Sequence, residues 1–287
     1  MQLYKEKLSI AGVKIAVESE YKFQFSDRCL PFVSEVDNED VVFRIHDMKD
    51  FDLDDYEIES ESLKSRIYIK NGERIKFKYS DEKKSEIMWY MTEKDVYPSI
   101  YDIFLVDKKV LDRINPLVFV DLSGFFIRYN AMILHSSFIK YKNHGIVFSA
   151  PSQTGKSTQA ELWKKYYNAK IVNGDRTIIR CEDRYYGYGS PYAGSSLIYE
   201  NEKVELLSII VIRQAKENRI RKMGLKEAYI TILSEMSVPP GRKDVIEKQS
   251  KWLLELLSHV QVYMLECLPD KGAADVLYNE IREKIDG

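Results

Sequence analysis

Cysteine is scarce in this chain, three in 287 residues, and Cys29, Cys181 and Cys267 stand far apart in no metal-ligand spacing. That excludes a closely spaced thiolate metal site, and the usage suits a reducing cytosol. An excess of one charge is also missing, since 43 Lys and Arg face 45 Asp and Glu. Nothing in that balance points to nucleic acid or to an anionic membrane surface. Long apolar runs are absent too: Leu206 to Ile212 (LLSIIVI) suits a buried strand and is far too short to span a bilayer. The opening MQLYKEKLSI lacks the long apolar core of a secretory signal. There is no internal repeat and no low-complexity tract. The expectation is a soluble, cytoplasmic protein with no membrane or nucleic-acid partner, long enough for one large domain or two modest ones.

What is present centres on Gly145 to Asp175, GIVFSAPSQTGKSTQAELWKKYYNAKIVNGD. The apolar run Ile146-Val147-Phe148 leads into a loop of small residues, then Lys156-Ser157-Thr158, then a breaker-free stretch from Gln159 to Tyr167 that reads as a helix. A strand, a loop ending in Gly-Lys-Ser and a helix form the phosphate-binding (Walker A) arrangement. Backbone N–H groups of Ser152, Gln153, Thr154, Gly155, Lys156, Ser157 and Thr158 would face a polyphosphate. Lys156 adds a point charge and the Ser157 hydroxyl can ligate Mg²⁺. The usual first glycine is replaced by Ala150. The plain alternative is an ordinary strand–turn–helix.

The organisation expected around this centre is α/β (α+β) in two parts. Residues 1–112 read as a β-rich N-terminal domain. Its clearest piece is Arg66 to Tyr79, where Ile67, Ile69, Ile75, Phe77 and Tyr79 alternate with charged residues around an Asn71-Gly72 type I′ turn. Asp47 to Glu61 is acidic and reads as a loop or solvated edge. Residues 113–287 read as a nucleotide-binding domain. There Leu117 to Tyr129 is apolar enough for a buried helix, Ser208 to Arg213 is a core strand, and three C-terminal helices follow from apolar spacing.

Asp175 ends the strand after the loop's helix, where α/β sheets place ligands. A carboxylate there can hold Mg²⁺ or accept the proton of an attacking hydroxyl. The alternative is that Asn173-Gly174-Asp175 is merely a turn. The core strand Ser208 to Arg213 holds no acid, so Asp175 is the metal and proton-handling candidate within reach. Arg176 could screen phosphate charge and Arg213 could reach a γ-phosphate, although either could be a surface arginine. Tyr185 to Ser196 could wall an acceptor groove or simply form turns over core tyrosines. His46, His144 and His259 read as structural.

The run from His135 to Arg176 resembles the catalytic core of the HPr serine kinase group, which shares its nucleotide fold with phosphoenolpyruvate carboxykinase. The matching features are His135 on the strand before the loop, the loop Ala150 to Ser157, and Val172-Asn173-Gly174-Asp175-Arg176 where the group has Val-Ala-Asp-Asp-Arg. Further along, PYAG at 191–194, Asn218 and VYMLECLPD at 262–270 are similar to HPr-kinase-like proteins encoded beside ribosomally made peptides, including lasso-peptide kinases. The resemblance covers roughly residues 115 to 287. It implies a carboxykinase-like kinase core using ATP and Mg²⁺, with His135, Lys156, Asp175 and Arg176 as catalytic residues and Ser157 and Asp175 at the metal. It also implies that a homo-oligomer is open, as relatives often are. Gly174 departs from the group's first Asp, so one carboxylate serves both ends or a distant acid, with Asp183 a candidate, completes the site.

The function expected is transfer of the γ-phosphate of ATP to a hydroxyl, a serine of a small protein or ribosomally made peptide. The alternatives are a kinase of a free metabolite such as serine, and an ATP-binding accessory or sensor protein that transfers nothing.

Overall fold

The structure, a computed structural model, describes residues 2–35, 37–94, 96–194, 196–236 and 242–286. The chain divides into two units between Asp121 and Leu122, later than the change of pattern near residue 112, with Arg242 grouped with the first.

In the first unit the described strands are β1 (Tyr4–Ile10), β2 (Val13–Ser19), β3 (Val41–Asp47), β4 (Glu57–Ser62), β5 (Ser65–Lys70), β6 (Glu73–Tyr79), β7 (Ile87–Lys94) and β8 (Ser99–Leu105). They form one sheet in the order β1-β2-β3-β8-β7-β6-β5-β4. Strands β2, β3 and β8 run parallel and the other pairs antiparallel. The alternation read in β6 holds, with Ile75, Phe77 and Tyr79 buried among Tyr68 and Tyr90. Its turn has φ of 51° at Asn71 and 86° at Gly72, the geometry of a type I′ hairpin. The acidic stretch ends as β4, a largely exposed edge strand whose charges discourage pairing with another chain.

The helix expected over Leu117 to Tyr129 is instead two short pieces, a 3₁₀ turn at Pro116–Val118 and α1 (Leu122–Ile127). The Asn115 side chain accepts from the Leu117 N–H and starts the turn. The Phe119 carbonyl then accepts from Lys76 Nζ at 3.0 Å.

The second unit is mixed α/β. After α1 come β9 (Ala131–Tyr141), β10 (His144–Ser149), α2 (Lys156–Tyr167), β11 (Lys170–Asn173), β12 (Arg176–Cys181), β13 (Tyr185–Tyr188), β14 (Lys203–Gln214), β15 (Arg219–Lys222), α3 (Leu225–Ser234), α4 (Lys243–His259), β16 (Gln261–Cys267) and α5 (Lys271–Asp286). Strand β14 lies parallel between β10 and β16, so it is buried on both faces. That is why its sequence is a continuous apolar run rather than an alternation. Ile209 and Val211 pack with Ile232, Trp252, Leu253 and Leu256 of α3 and α4. Ile210 and Ile212 pack on the other face with Ala160 and Trp163 of α2 and Leu277 and Ile281 of α5. Helices thus cover both sides of the sheet. Among the described residues no helix is long and apolar enough to cross a membrane.

Candidate functional site

Strand register gathers the site. Ser149, the last residue of β10, pairs with Ser136 of β9, and the chain then enters the loop. One residue earlier on β9, His135 pairs with Arg176 of β12 on the opposite edge. Strands β11 and β12 lie end to end along that edge, and the Asp175 carbonyl between them accepts from the Ser136 N–H at 2.9 Å. Strand β9 therefore carries His135 between the loop and Asp175.

The loop Ala150 to Gly155 turns on Gln153 (φ 63°) and Gly155 (φ 116°), the latter in a conformation that L side chains rarely adopt. Gly155 is also the N-cap of α2 and offers no side chain to the first helical N–H groups. Those donors, at the positive end of the helix, remain available to an anion. Lys156 is buried, and its ammonium donates to the carbonyls of Ala150 at 2.8 Å and Pro151 at 3.3 Å. Burial lowers its pKa from the ordinary lysine value, against the pull of Glu235 and Asp175. Ser157 and Thr158 are exposed at the same helix end, as are Ser152 and Gln153 in the loop, and Thr154 is half-buried.

Beside the loop lies a cleft of ≈ 530 Å³. One wall is Gln153 to Gln159, and the other comes from Ile212, Gln214, Ala215, Cys267, Leu268 and Pro269. Its size falls within the usual range for a small-molecule site. Asn218 braces that wall by donating to Asp270 and accepting from the Leu268 N–H, at 2.9 and 2.8 Å. The Cys267 thiol is pushed up to about 11, chiefly by burial and then by Asp270, so it is a wall of the cleft rather than a nucleophile.

Asp175 is half-buried, with Oδ1 3.7 Å from His135 Nε2 and Oδ2 3.6 Å from Arg176 Nε. Its backbone is held by Asn173, whose buried amide oxygen accepts from the N–H groups of Asp175 and Arg176 at 2.9 and 2.8 Å. The Asn173 Nδ2 donates to the carbonyls of Ser190 and Tyr192, both at 3.0 Å, and so ties the segment after β13 to the same point. Gly194 (φ 52°) packs on Asp175 so closely that a Cβ there would lie 2.9 Å from the carboxyl carbon. The His135 ring is held below the ordinary histidine range by burial first, then by Lys156 and Arg176, with Asp175 opposing. These causes favour the neutral ring over the charged one.

Other candidates separate from this centre. Arg213 lies 3.5 Å from Glu266 and is largely exposed. Asp183 follows the far end of β12 from Asp175 and accepts from Tyr186, which removes it as the distant acid. The residue that sequence reasoning missed is Glu235, just after α3. Its carboxylate is 3.9 Å from His135 Nδ1, and Lys156 acts on its charge. A faint signal was present: an acid at the C-terminal end of a helix opposes the helix dipole.

The residues that the sequence offers to a metal, Ser157 and Asp175, carry a hydroxyl and a carboxylate. These hard oxygen groups suit Mg²⁺, which takes few protein ligands and draws the rest from phosphate and water. No cluster of three or more metal-ligating side chains occurs among the described residues.

No family model and no curated protein matches the chain. Among solved structures, the HPr(Ser) kinase/phosphatase from Coxiella burnetii is similar at 12% identity over 54% of this chain and 93% of that one, with a TM-score of 0.34.

Proposed function

We propose that this protein is a kinase that transfers the γ-phosphate of ATP to a hydroxyl, a serine of a small protein or peptide. The observation that carries the reading is convergence. A glycine-ended loop at a helix N-terminus, its buried lysine and a half-buried Asp beside His135 are brought to one place by strand register. A phosphate grip alone would need only the first two.

In this reading the loop N–H groups and Lys156 hold the β- and γ-phosphates, and the nucleoside occupies the cleft between the loop and Gln214 to Pro269. Ser157 and Asp175 would hold Mg²⁺, which would supply neutralisation of phosphate charge. Asp175 takes the proton of the acceptor hydroxyl as that oxygen bonds to phosphorus. The bond from phosphorus to the β–γ bridging oxygen breaks, and ADP carries the electron pair away. Arg176 faces the same carboxylate and screens charge on the moving group.

Incubation of the protein with Mg²⁺, γ-labelled ATP, a panel of serine-containing peptides and a panel of hydroxyl metabolites tests the reading. Label on a peptide serine is the expected result. Label on a free metabolite would replace the acceptor class. Tight ATP binding with no transfer to any acceptor would leave a nucleotide sensor, the reading that Gly174 in place of an acid favours.

A further inference from the structure

A second carboxylate is missing beside Asp175, and the space it would use is filled. A Cβ at residue 174 would overlap the Ser196 Oγ and lie 2.6 Å from the Ser196 Cβ. Ser196 is itself fixed, donating to the Ala193 carbonyl at 2.7 Å. An acid at 174 would have to displace that segment, so this chain has built its site without one.

The far side of His135 holds the candidate. The end of α3 is pinned to β9 by the His135 N–H, which donates to the Glu235 carbonyl at 3.4 Å, and by a bridge pairing Leu134 with Met236. This anchoring brings the Glu235 carboxylate to the Nδ1 side of the ring while Asp175 stands at Nε2. The Glu235 side chain is only 12% exposed. It follows a helix C-terminus, where a negative charge is disfavoured. Local helix energetics therefore give no reason for an acid here, and burial pushes its pKa up against the pull of Lys156. The group that answers its charge is the loop lysine, Lys156, and the nearest ring is that of His135.

We infer that Glu235 is the second carboxylate of this site, a positioning residue that holds His135 from the side opposite Asp175. The inference rests on the phosphotransfer reading of the same site. A neutral imidazole has one N–H to place, and the partner at one nitrogen decides what the other offers. When the ring closes the 3.9 Å gap to Glu235 in the occupied site, that carboxylate accepts from Nδ1–H and Nε2 presents its lone pair toward Asp175. The ring can then accept a hydrogen bond from Asp175 once that carboxyl carries the acceptor's proton. Without Glu235 the proton moves to Nε2, and the ring turns a donor toward a carboxylate that must stay a good base.

The test uses full-length protein, wild type and the Glu235→Ala, Glu235→Gln and Glu235→Asp variants. The His135 ring nitrogens are read by ¹⁵N NMR at pH 7.5 and assigned with His135→Asn. The Nδ1–H form is expected in wild type and in Glu235→Asp, and its loss in Glu235→Ala. In the transfer assay, Glu235→Ala should lower kcat by about 10- to 100-fold with KM for ATP within about twofold, and Glu235→Asp should restore most of it. If Glu235→Ala does not fold, Glu235→Gln gives the same comparison at intermediate size. An unchanged tautomer in a folded variant, or kcat unchanged while wild type transfers phosphate, overturns the inference. A tautomer that responds in a protein transferring no phosphate supports the placement of Glu235 and removes the kinase reading instead.

Discussion

The two units each contain a histidine beside an aspartate, and the pairs differ in how they are finished. In the first unit His46 Nε2 lies 2.9 Å from Asp102 Oδ1, Lys94 takes the other carboxylate oxygen at 2.8 Å, and the His46 ring stacks on Phe104 at 5.0 Å. Burial raises the Asp102 pKa, but its hydrogen bonds to Lys94 and His46 outweigh this and hold it below the ordinary value. In the second unit His135 and Asp175 stand 3.7 Å apart, with Arg176 at 3.6 Å and Glu235 at 3.9 Å, each short of hydrogen-bond contact. A saturated pair holds strands together. A loosened one leaves lone pairs and donors available to a partner that arrives later, and it tolerates that looseness because the backbone around it is tightly bonded.

The largest test of that contrast is Asp175→Asn. Phosphate transfer should fall about 10³-fold or more, within the range for loss of a general base, while ATP affinity by calorimetry stays within about twofold. Full activity in the variant would remove the site assignment. Next, Gly194→Ala forces a Cβ against the Asp175 carboxyl at a positive φ, and the resulting displacement should lower kcat by about 30- to 100-fold. Unaltered kcat would mean that the position of Asp175 is not critical.

A third effect sits in the first unit. Lys76 Nζ lies 5.5 Å over the Trp89 ring, and burial lowers its pKa from 10.5 to about 8, with Asp121 opposing. The folded pKa is below the unfolded one, so between about pH 8 and 10.5 the unfolded chain binds more protons and stability rises with pH. Below that window the cost of burying the charge is fully present. Urea denaturation of wild type against Lys76→Met should show a difference of about 3 kcal/mol that disappears across the window. A pH-independent difference would show that Lys76 does not titrate there. The smallest effect is Asp102→Asn, expected to cost about 1 kcal/mol of stability and to leave transfer unchanged. Loss of transfer in that variant would dissolve the distinction between the two pairs.

How far the sequence reaches depends on the range of the interaction. The hairpin at Asn71-Gly72 is legible because two adjacent positive φ angles demand those residue types. Strand β14 is legible because burial on both faces makes Ile209 to Ile212 an unbroken apolar run. The helix over Leu117 to Tyr129 fails because apolar content cannot reveal that the Phe119 carbonyl bonds to Lys76, a residue far earlier in the chain. Within the candidate site, His135, Lys156, Asp175 and Arg176 share one local stretch, and register brings them together. Glu235 arrives by a backbone contact across a hundred residues of sequence separation, and the fit of Ser196 over Gly174 is steric. Neither leaves a pattern in residue spacing.

The bonded amide of Asn173 has a consequence for chemical ageing. Asn-Gly is the dipeptide most prone to deamidation, because the small glycine lets its backbone nitrogen attack the asparagine side chain and close a succinimide. Asn173-Gly174 is such a pair, but its side chain is held on both sides by hydrogen bonds and sealed from water. Asn71-Gly72 is the same dipeptide at an exposed turn. Peptide mapping by mass spectrometry after storage should find modification at Asn71 and none at Asn173 until the second unit unfolds. Damage accumulated in the folded state would then be written on the first unit, and the neighbourhood of Asp175 would keep its chemistry for as long as it keeps its fold.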